Sequence, residues 1–124
     1  MPTVNIYSQS STARRGLVKS VDHIRGKVAE LLSGESRRLT RDEISVRLID
    51  SDVLGMLAPI EVEISAQNYP ERALNADRIC LDMRAYVQQL LPETGDARVW
   101  LLLVELGHSW TEEEIASIHA GNIT

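Results

Sequence analysis

The sequence contains no phenylalanine, and its tyrosines and tryptophans together make only five aromatics in 124 residues. Cysteine is almost absent: Cys80 stands alone, which excludes an internal disulfide and points to a reducing, cytoplasmic setting. Long apolar runs are missing as well. The longest, Val99 to Val104, has six residues, too few to span a membrane. The N-terminus lacks the charged start and apolar stretch of a signal peptide. No Gly-rich phosphate loop or nucleophile elbow appears. His108 and His119 have no partners at metal-ligand spacing, so neither a metal nor a cofactor is expected. The net charge of -5 argues against nucleic acid as the main partner.

What remains is a chain of 44% apolar residues, too apolar for disorder and of a length that suits one domain. Its cations are lopsided. Of 13 basic residues only Lys19 and Lys27 are lysines. Arginine is the better fork for carboxylate or phosphate, so the bias reflects either a site or background composition.

Period-two alternation predicts strands at Thr3 to Ser8, Ile44 to Asp50 and Ile60 to Gln67. A fourth, Arg98 to Leu106, is the most apolar segment and is expected to be buried on both faces. Helical periodicity covers Arg14 to Ser33, where Leu17, Val21, Ile24, Val28 and Leu31 form a stripe that Val18 and Leu32 widen, with Gly34 at its end. A second helix runs from Pro70 to Leu91, its stripe being Ala76, Ile79, Cys80, Met83, Val87 and Leu90. Thr40 to Glu43 and Thr111 to Glu114 have capping-box spacing, the latter opening a short tail helix. Asp50 to Pro59 is a connection oddly apolar for a solvated loop.

The order is strand–helix–strand, twice. The halves, about 2–58 and 59–110 before a tail 111–124, echo each other: Val4-Asn5-Ile6 matches Val62-Glu63-Ile64, and Val46-Arg47-Leu48 matches Val99-Trp100-Leu101. Five extra residues in the first half reconcile the two spacings. Each unit is expected to be a right-handed crossover between parallel strands. The result is an α+β fold, a four-stranded mixed sheet with two antiparallel helices on one face. The other face then lacks a cover, which oligomerisation would supply.

Pro2 is the residue with the most chemical potential. Once a leading methionine is trimmed, proline presents a secondary amine, and an α-amino group ordinarily titrates at about 7.7–8.0. Desolvation and neighbouring guanidinium groups both disfavour its ammonium form, making it a base usable near neutral pH. With methionine retained, Pro2 is an amide nitrogen without basicity.

Met1-Pro2-Thr3-Val4-Asn5-Ile6-Tyr7, the duplicated strand–helix–strand plan and the length together resemble the tautomerase superfamily. The resemblance covers Pro2 to about Trp110. It implies a homotrimer with active sites at subunit edges and Pro2 as the catalytic N-terminal proline. Ser45-Val46-Arg47-Leu48-Ile49 is similar to the family segment holding a substrate-carboxylate arginine, which gives Arg47 that role. Arg14 or Arg15 falls near the position of a second, early-helix arginine, and Arg72 is its counterpart in the second half. Arg72 also resembles the loop arginine of the hydratase and dehalogenase branch. Glu105 matches the water-activating glutamate of that branch. The aromatic wall of the short enzymes has no clear counterpart; Tyr7, Tyr69, Trp100 and Trp110 are candidates.

Each of these residues also fits a bland role. Arg47 suits a solvated or interface strand position, Arg72 a pair with Glu71 or Asp77, Glu105 a surface acid, and Arg14 and Arg15 solvent. Arg25, Arg37, Arg38, Arg41, Arg78 and Arg84 fall on helix faces or in a polar loop, where composition explains them.

The expected activity is tautomerisation of a small 2-oxo or enol carboxylate, with Pro2 moving the proton. Arg47 would bind the carboxylate, and Arg14, Arg15 or Arg72 would stabilise enolate charge. Alternatives are hydration or dehalogenation of a 3-substituted acrylate through Pro2, Arg72 and Glu105, a non-enzymatic trimeric binding protein, and a dimeric ferredoxin-like barrel.

Overall fold

The structure is a computed structural model and describes residues 2–9, 11–35, 37–50, 56–105, 113 and 116. Strand β1, Thr3–Ser8, alternates as its sequence does: Val4, Ile6 and Ser8 are buried while Thr3, Asn5 and Tyr7 look the other way. It lies at the centre of the sheet. Strand β2, Ser45–Asp50, pairs parallel on one side, and β3, Ile60–Gln67, pairs antiparallel on the other. Strand β4, Ala97–Val104, joins β3 in parallel, giving the order β2-β1-β3-β4. This is the four-stranded mixed sheet and α+β class that the pattern implied.

A parallel pair cannot be joined by a hairpin, so each needs a crossover, and here both are helical. Helices α1, Ser11–Lys19, and α2, Val21–Leu32, connect β1 to β2; α3, Pro70–Leu74, and α4, Ala76–Leu90, connect β3 to β4. Because β1 opposes β3, the two crossovers run in opposite directions. Ile24 and Val28 of α2 and Met83 and Val87 of α4 are buried with Val4, Ile6, Val62 and Ile64 of the central strands in one aliphatic core. Burying each such side chain contributes about 1.5–3 kcal/mol.

Several expectations need correction. The first helix starts earlier, at Ser11, and is interrupted at Ser20, where the chain leaves the α-region before Ile24 N–H resumes the ladder on the Ser20 carbonyl at 2.9 Å. The second is interrupted at Asn75, whose side-chain Nδ2 donates to the Glu71 carbonyl at 2.8 Å. Serine and asparagine compete with helical backbone bonding in this way. Val18 is 55% exposed and does not join the core. Strand β4 is not buried on both faces in the single chain. It lies at the sheet edge, and Leu102 and Val104 are 46% and 41% exposed. Residues 51–55 of the apolar connection lie outside the described residues. So does the tail helix, apart from Glu113 and Ala116.

Among the described residues no helix covers the other face of the sheet. Register places Asn5 beside Arg47 and Glu63, Glu63 beside Trp100, and Glu61 beside Arg98. Asn5 Nδ2 donates to Glu63 Oε1 at 3.1 Å. Among the described residues no helix is long and apolar enough to cross a membrane.

Two arginines left to background composition act as staples. Arg25 Nε on α2 donates to the Ile44 carbonyl just before β2 at 3.0 Å, and Arg84 Nε on α4 donates to the Ala97 carbonyl that opens β4 at 3.1 Å. Each half thus fastens the head of its outer strand to its helix with a guanidinium.

Candidate active site

At one end of the sheet β1 and β2 begin and β3 and β4 finish. Pro2 stands there, immediately before β1, and is buried. Its carbonyl accepts a hydrogen bond from Ser45 N–H at 3.1 Å, extending the β1–β2 ladder by one residue. Side chains alternate across a strand, so Pro2 shares the helix side of the sheet with Val4 and Ile6. Beside it β3 ends at Gln67. Asn68 N–H bonds to the Val104 carbonyl at 2.9 Å, and Pro70, whose ring suits the first helical turn, starts α3.

That short helix carries Arg72 inward. Arg72 is only 5% exposed. Nε donates to the Leu32 carbonyl at 3.1 Å and Nη1 to the Gln67 carbonyl at 2.7 Å. The guanidinium carbon lies 4.7 Å from the centre of the Tyr69 ring, and the Tyr69 hydroxyl donates to Gln67 Oε1 at 3.4 Å. Nη2 is buried and has no hydrogen-bond partner among the described residues. Burial, foremost, and the neighbouring Arg37 cation hold the Arg72 pKa below the usual arginine value, against the opposing influence of Tyr69 and Glu71. A guanidinium in such a place stays charged, so its environment calls for an anion.

The loop between α2 and β2 closes the other side. The Ser33 hydroxyl donates to the Ala29 carbonyl at 2.6 Å and accepts from Leu39 N–H at 2.9 Å. Gly34 N–H bonds to the Arg37 carbonyl at 2.8 Å. Glu43 then ties the loop down from the 3-10 turn Arg41–Glu43: Oε2 accepts from Arg37 Nη2 at 2.7 Å and Oε1 from Thr40 N–H at 3.2 Å. Pro2, Arg37, Leu39, Gln67, Tyr69 and Arg72 together line a pocket of about 370 Å³.

Of the residues singled out in the sequence, Pro2, Arg72 and Tyr69 meet here, and Arg47, Arg14, Arg15 and Glu105 do not. Arg47 is exposed on the uncovered face, on the far side of the sheet from Pro2. Arg14 pairs with Asp50 Oδ1 at 3.0 Å and reaches toward the Leu48 carbonyl at 3.5 Å, at the opposite end of β1 and β2. A six-residue strand separates the two ends, about 20 Å at 3.3 Å per residue. Arg15 is exposed and donates to Thr12 Oγ1 at 3.4 Å. Glu105 lies at the same sheet end as Pro2 but accepts from Asn68 Nδ2 at 2.7 Å and is not part of the pocket wall. Arg37 and Leu39 were not picked out by the sequence. The arginine-rich loop was visible, but which of its arginines lines the pocket follows from the Ser33 and Glu43 bonds. Tyr69 was one of four aromatic candidates, and it serves as the stacking partner of Arg72.

No protein-family model and no curated protein matches the chain. Solved structures do. A protein of unknown function from Vibrio cholerae O1 biovar eltor is 16% identical, with a TM-score of 0.62 over 90% of this chain and 84% of that one. A fused 4-OT, a wild-type symmetric trimer, is 13% identical with a TM-score of 0.54 over 97% of this chain and 99% of that one. A macrophage migration inhibitory factor-like protein from Entamoeba histolytica is 10% identical with a TM-score of 0.52 over 87% and 95%. The chain therefore shares the fold of these structures.

Proposed function

We propose that the chain, once Met1 is removed, is a tautomerase acting on a small 2-oxo or enol carboxylate in the pocket between Pro2 and Arg72. One observation carries this reading: a buried N-terminal-type proline shares a pocket with a buried guanidinium that has an unsatisfied donor. The proline nitrogen would take the proton from the enol oxygen as the C–O bond gains double-bond character, and return it to carbon as the enolate electron pair forms the C–H bond. Proton and electron pair are conserved, and no co-reactant is needed. Arg72 would receive the substrate carboxylate and enolate oxygen on Nη2. Its other nitrogens are already anchored on backbone carbonyls, so it needs little reorganisation as charge develops.

A homotrimer accords with this reading. The uncovered sheet face needs a partner, and the fused 4-OT neighbour is a symmetric trimer. In such an assembly Arg47, Arg14 and Arg15 would act, if on a pocket at all, on one from a neighbouring subunit. Hydration or dehalogenation of a 3-substituted acrylate is the less favoured chemistry, because it needs Glu105 at the substrate and Glu105 is engaged by Asn68 outside the pocket.

The test is ketonisation of phenylenolpyruvate by protein whose intact mass shows loss of methionine, beside Pro2→Ala. General acid–base catalysis of this kind is worth about 10²–10⁴-fold, and that loss is expected in the variant. Equal rates, or a native protein that keeps methionine, would overturn the proline mechanism in favour of a non-enzymatic binding protein.

A further inference from the structure

We propose that Arg25, on α2 and outside the pocket, is a positioning residue for Pro2: its Nε holds the Ile44–Ser45 peptide, and that peptide holds the Pro2 carbonyl. The inference rests on the reading of Pro2 as the working base and goes beyond it by naming what fixes that base in place.

The two bonds share one peptide group. Arg25 Nε donates to the Ile44 carbonyl at 3.0 Å, and the N–H of the same peptide, that of Ser45, donates to the Pro2 carbonyl at 3.1 Å. A peptide is planar, so a grip on its oxygen fixes the direction of its N–H. The bond to the oxygen also polarises the group and strengthens the N–H as a donor. Proline brings no amide N–H to a ladder, so its carbonyl carries the backbone bonding of this residue. Once Met1 is removed, a residue at the head of the chain frays unless it is tied down. Here the tie leads through one peptide to a helix.

The bond, not the charge, is what reaches Pro2. Asp22 at 3.3 Å from Nη1 and Asp42 at 4.0 Å from Nη2 already meet the guanidinium, and Nε is left for the strand. Arg25 is not part of the pocket wall, so its effect on the reaction runs through Pro2 and not through a ligand. Ile44 is only 1% exposed. Without Nε its carbonyl has to turn toward water to be satisfied, and the planar peptide then swings Ser45 N–H away from Pro2. The matching staple of the other half has no such reach. Arg84 Nε holds the Ala97 carbonyl, which opens β4 at the sheet end away from Pro2.

Three variants test this chain of bonds. Arg25→Met keeps the bulk of the side chain without a donor. Arg25→Gln places an N–H where Nε stood but carries no charge. Arg84→Met removes the matching staple and controls for a general loss of stability. Deuterium exchange of the Ser45 amide, followed by NMR and compared with the other β2 amides, reports the hold on Pro2. Arg25→Met should speed it about 10-fold or more, as loss of one charge-assisted bond implies, while Arg84→Met stays within about 3-fold of the wild type. In ketonisation of phenylenolpyruvate, Arg25→Met should lower kcat about 10–100-fold with KM held within about 3-fold, as misplacement of a reacting group does. Arg25→Gln should recover most of both losses. Unchanged Ser45 exchange in Arg25→Met, equal kcat losses in Arg25→Met and Arg84→Met, or an Arg25→Gln variant that behaves as Arg25→Met would overturn the proposal. If Arg25→Met does not fold, Arg25→Gln decides alone: slow Ser45 exchange supports the bond, and fast exchange overturns it. A wild type that does not ketonise the substrate fails the tautomerase reading instead, and Ser45 exchange then still decides the hold on Pro2.

Discussion

Arg14 and Arg72 stand at matching places in the two halves, each a few residues beyond the central strand of its half, and the fold treats them in opposite ways. Arg14 remains at the surface, its side chain 40% exposed, in an ion pair with Asp50. Arg72 is buried, bonded to two backbone carbonyls, stacked on Tyr69 and left with one nitrogen that has no partner among the described residues. The difference comes from the other half of the chain. Residues 33–44 join α2 to β2, and their loop carries Arg37 and Leu39 over Arg72. The connection from α4 to β4 is residues 91–96, half as long, and turns tightly through Gly95. It brings Leu91 against Gly16 but contributes no bonding group to Arg14 among the described residues. A longer connector therefore makes a pocket at one end of the sheet and leaves the matching arginine in solvent at the other.

The largest expected effect tests that contrast. Arg72→Met keeps the length of the side chain but removes the donors to the Leu32 and Gln67 carbonyls. Two orphaned acceptors should cost about 2–4 kcal/mol of stability in urea unfolding. Arg14→Met breaks only an exposed pair and should cost about 0–1 kcal/mol. Similar losses for the two would mean that the arginines do equivalent work and would remove the contrast.

The connectors themselves can be separated at glycine. Gly95 has φ of +95°, so Gly95→Ala should destabilise by roughly 1–2 kcal/mol although there is room for the methyl group. Gly26, inside α2 with nothing within 4 Å of its added carbon, should behave oppositely, Gly26→Ala stabilising by about 0.5–1 kcal/mol. Thermal melts of the two variants give the signs.

The smallest effect belongs to the staple of the second half and appears as pH dependence. Arg84 Nη2 donates to Asp96 Oδ1 at 2.7 Å, and Ala97 N–H donates to the same oxygen at 2.9 Å. The bond from Arg84, first, and that from Ala97 hold the Asp96 carboxyl below its usual pKa. A carboxyl whose folded pKa is depressed adds stability above its ordinary range and loses it as pH falls through the folded value. Asp96→Asn should thus be less stable than the parent near pH 7, and the two should converge in acid. A gap that persists in acid would assign the effect to packing rather than charge.

Much of this was legible in the residues. Alternation in Val4-Asn5-Ile6 and Val62-Glu63-Ile64 marks strands because side chains change faces at each step, and the helical stripes mark which sides are buried. Those local rules also show two strand–helix–strand units in sequence. The breaks at Ser20 and Asn75 were not legible, because a polar residue inside a helix competes with the ladder only in some settings. The exposure of β4 is not legible for a related reason: its apolar run says that both faces suit burial, not whether this chain alone buries them.

The site divides in the same way. From the sequence alone, Pro2 is a candidate base and Arg72 one of several candidate anion binders. Nothing local distinguishes Arg72 from Arg14, or Arg37 from Arg38 and Arg41, since every arginine carries the same charge and the same donors. Burial distinguishes them, and burial is set by distant segments: the Leu32 carbonyl, the Tyr69 ring and a loop held by Ser33 and Glu43. Local periodicity determined the elements and the covered face of the sheet. Only the packing of one half's connector over the other half's helix decided which guanidinium lies out of water, where its charge is felt most strongly.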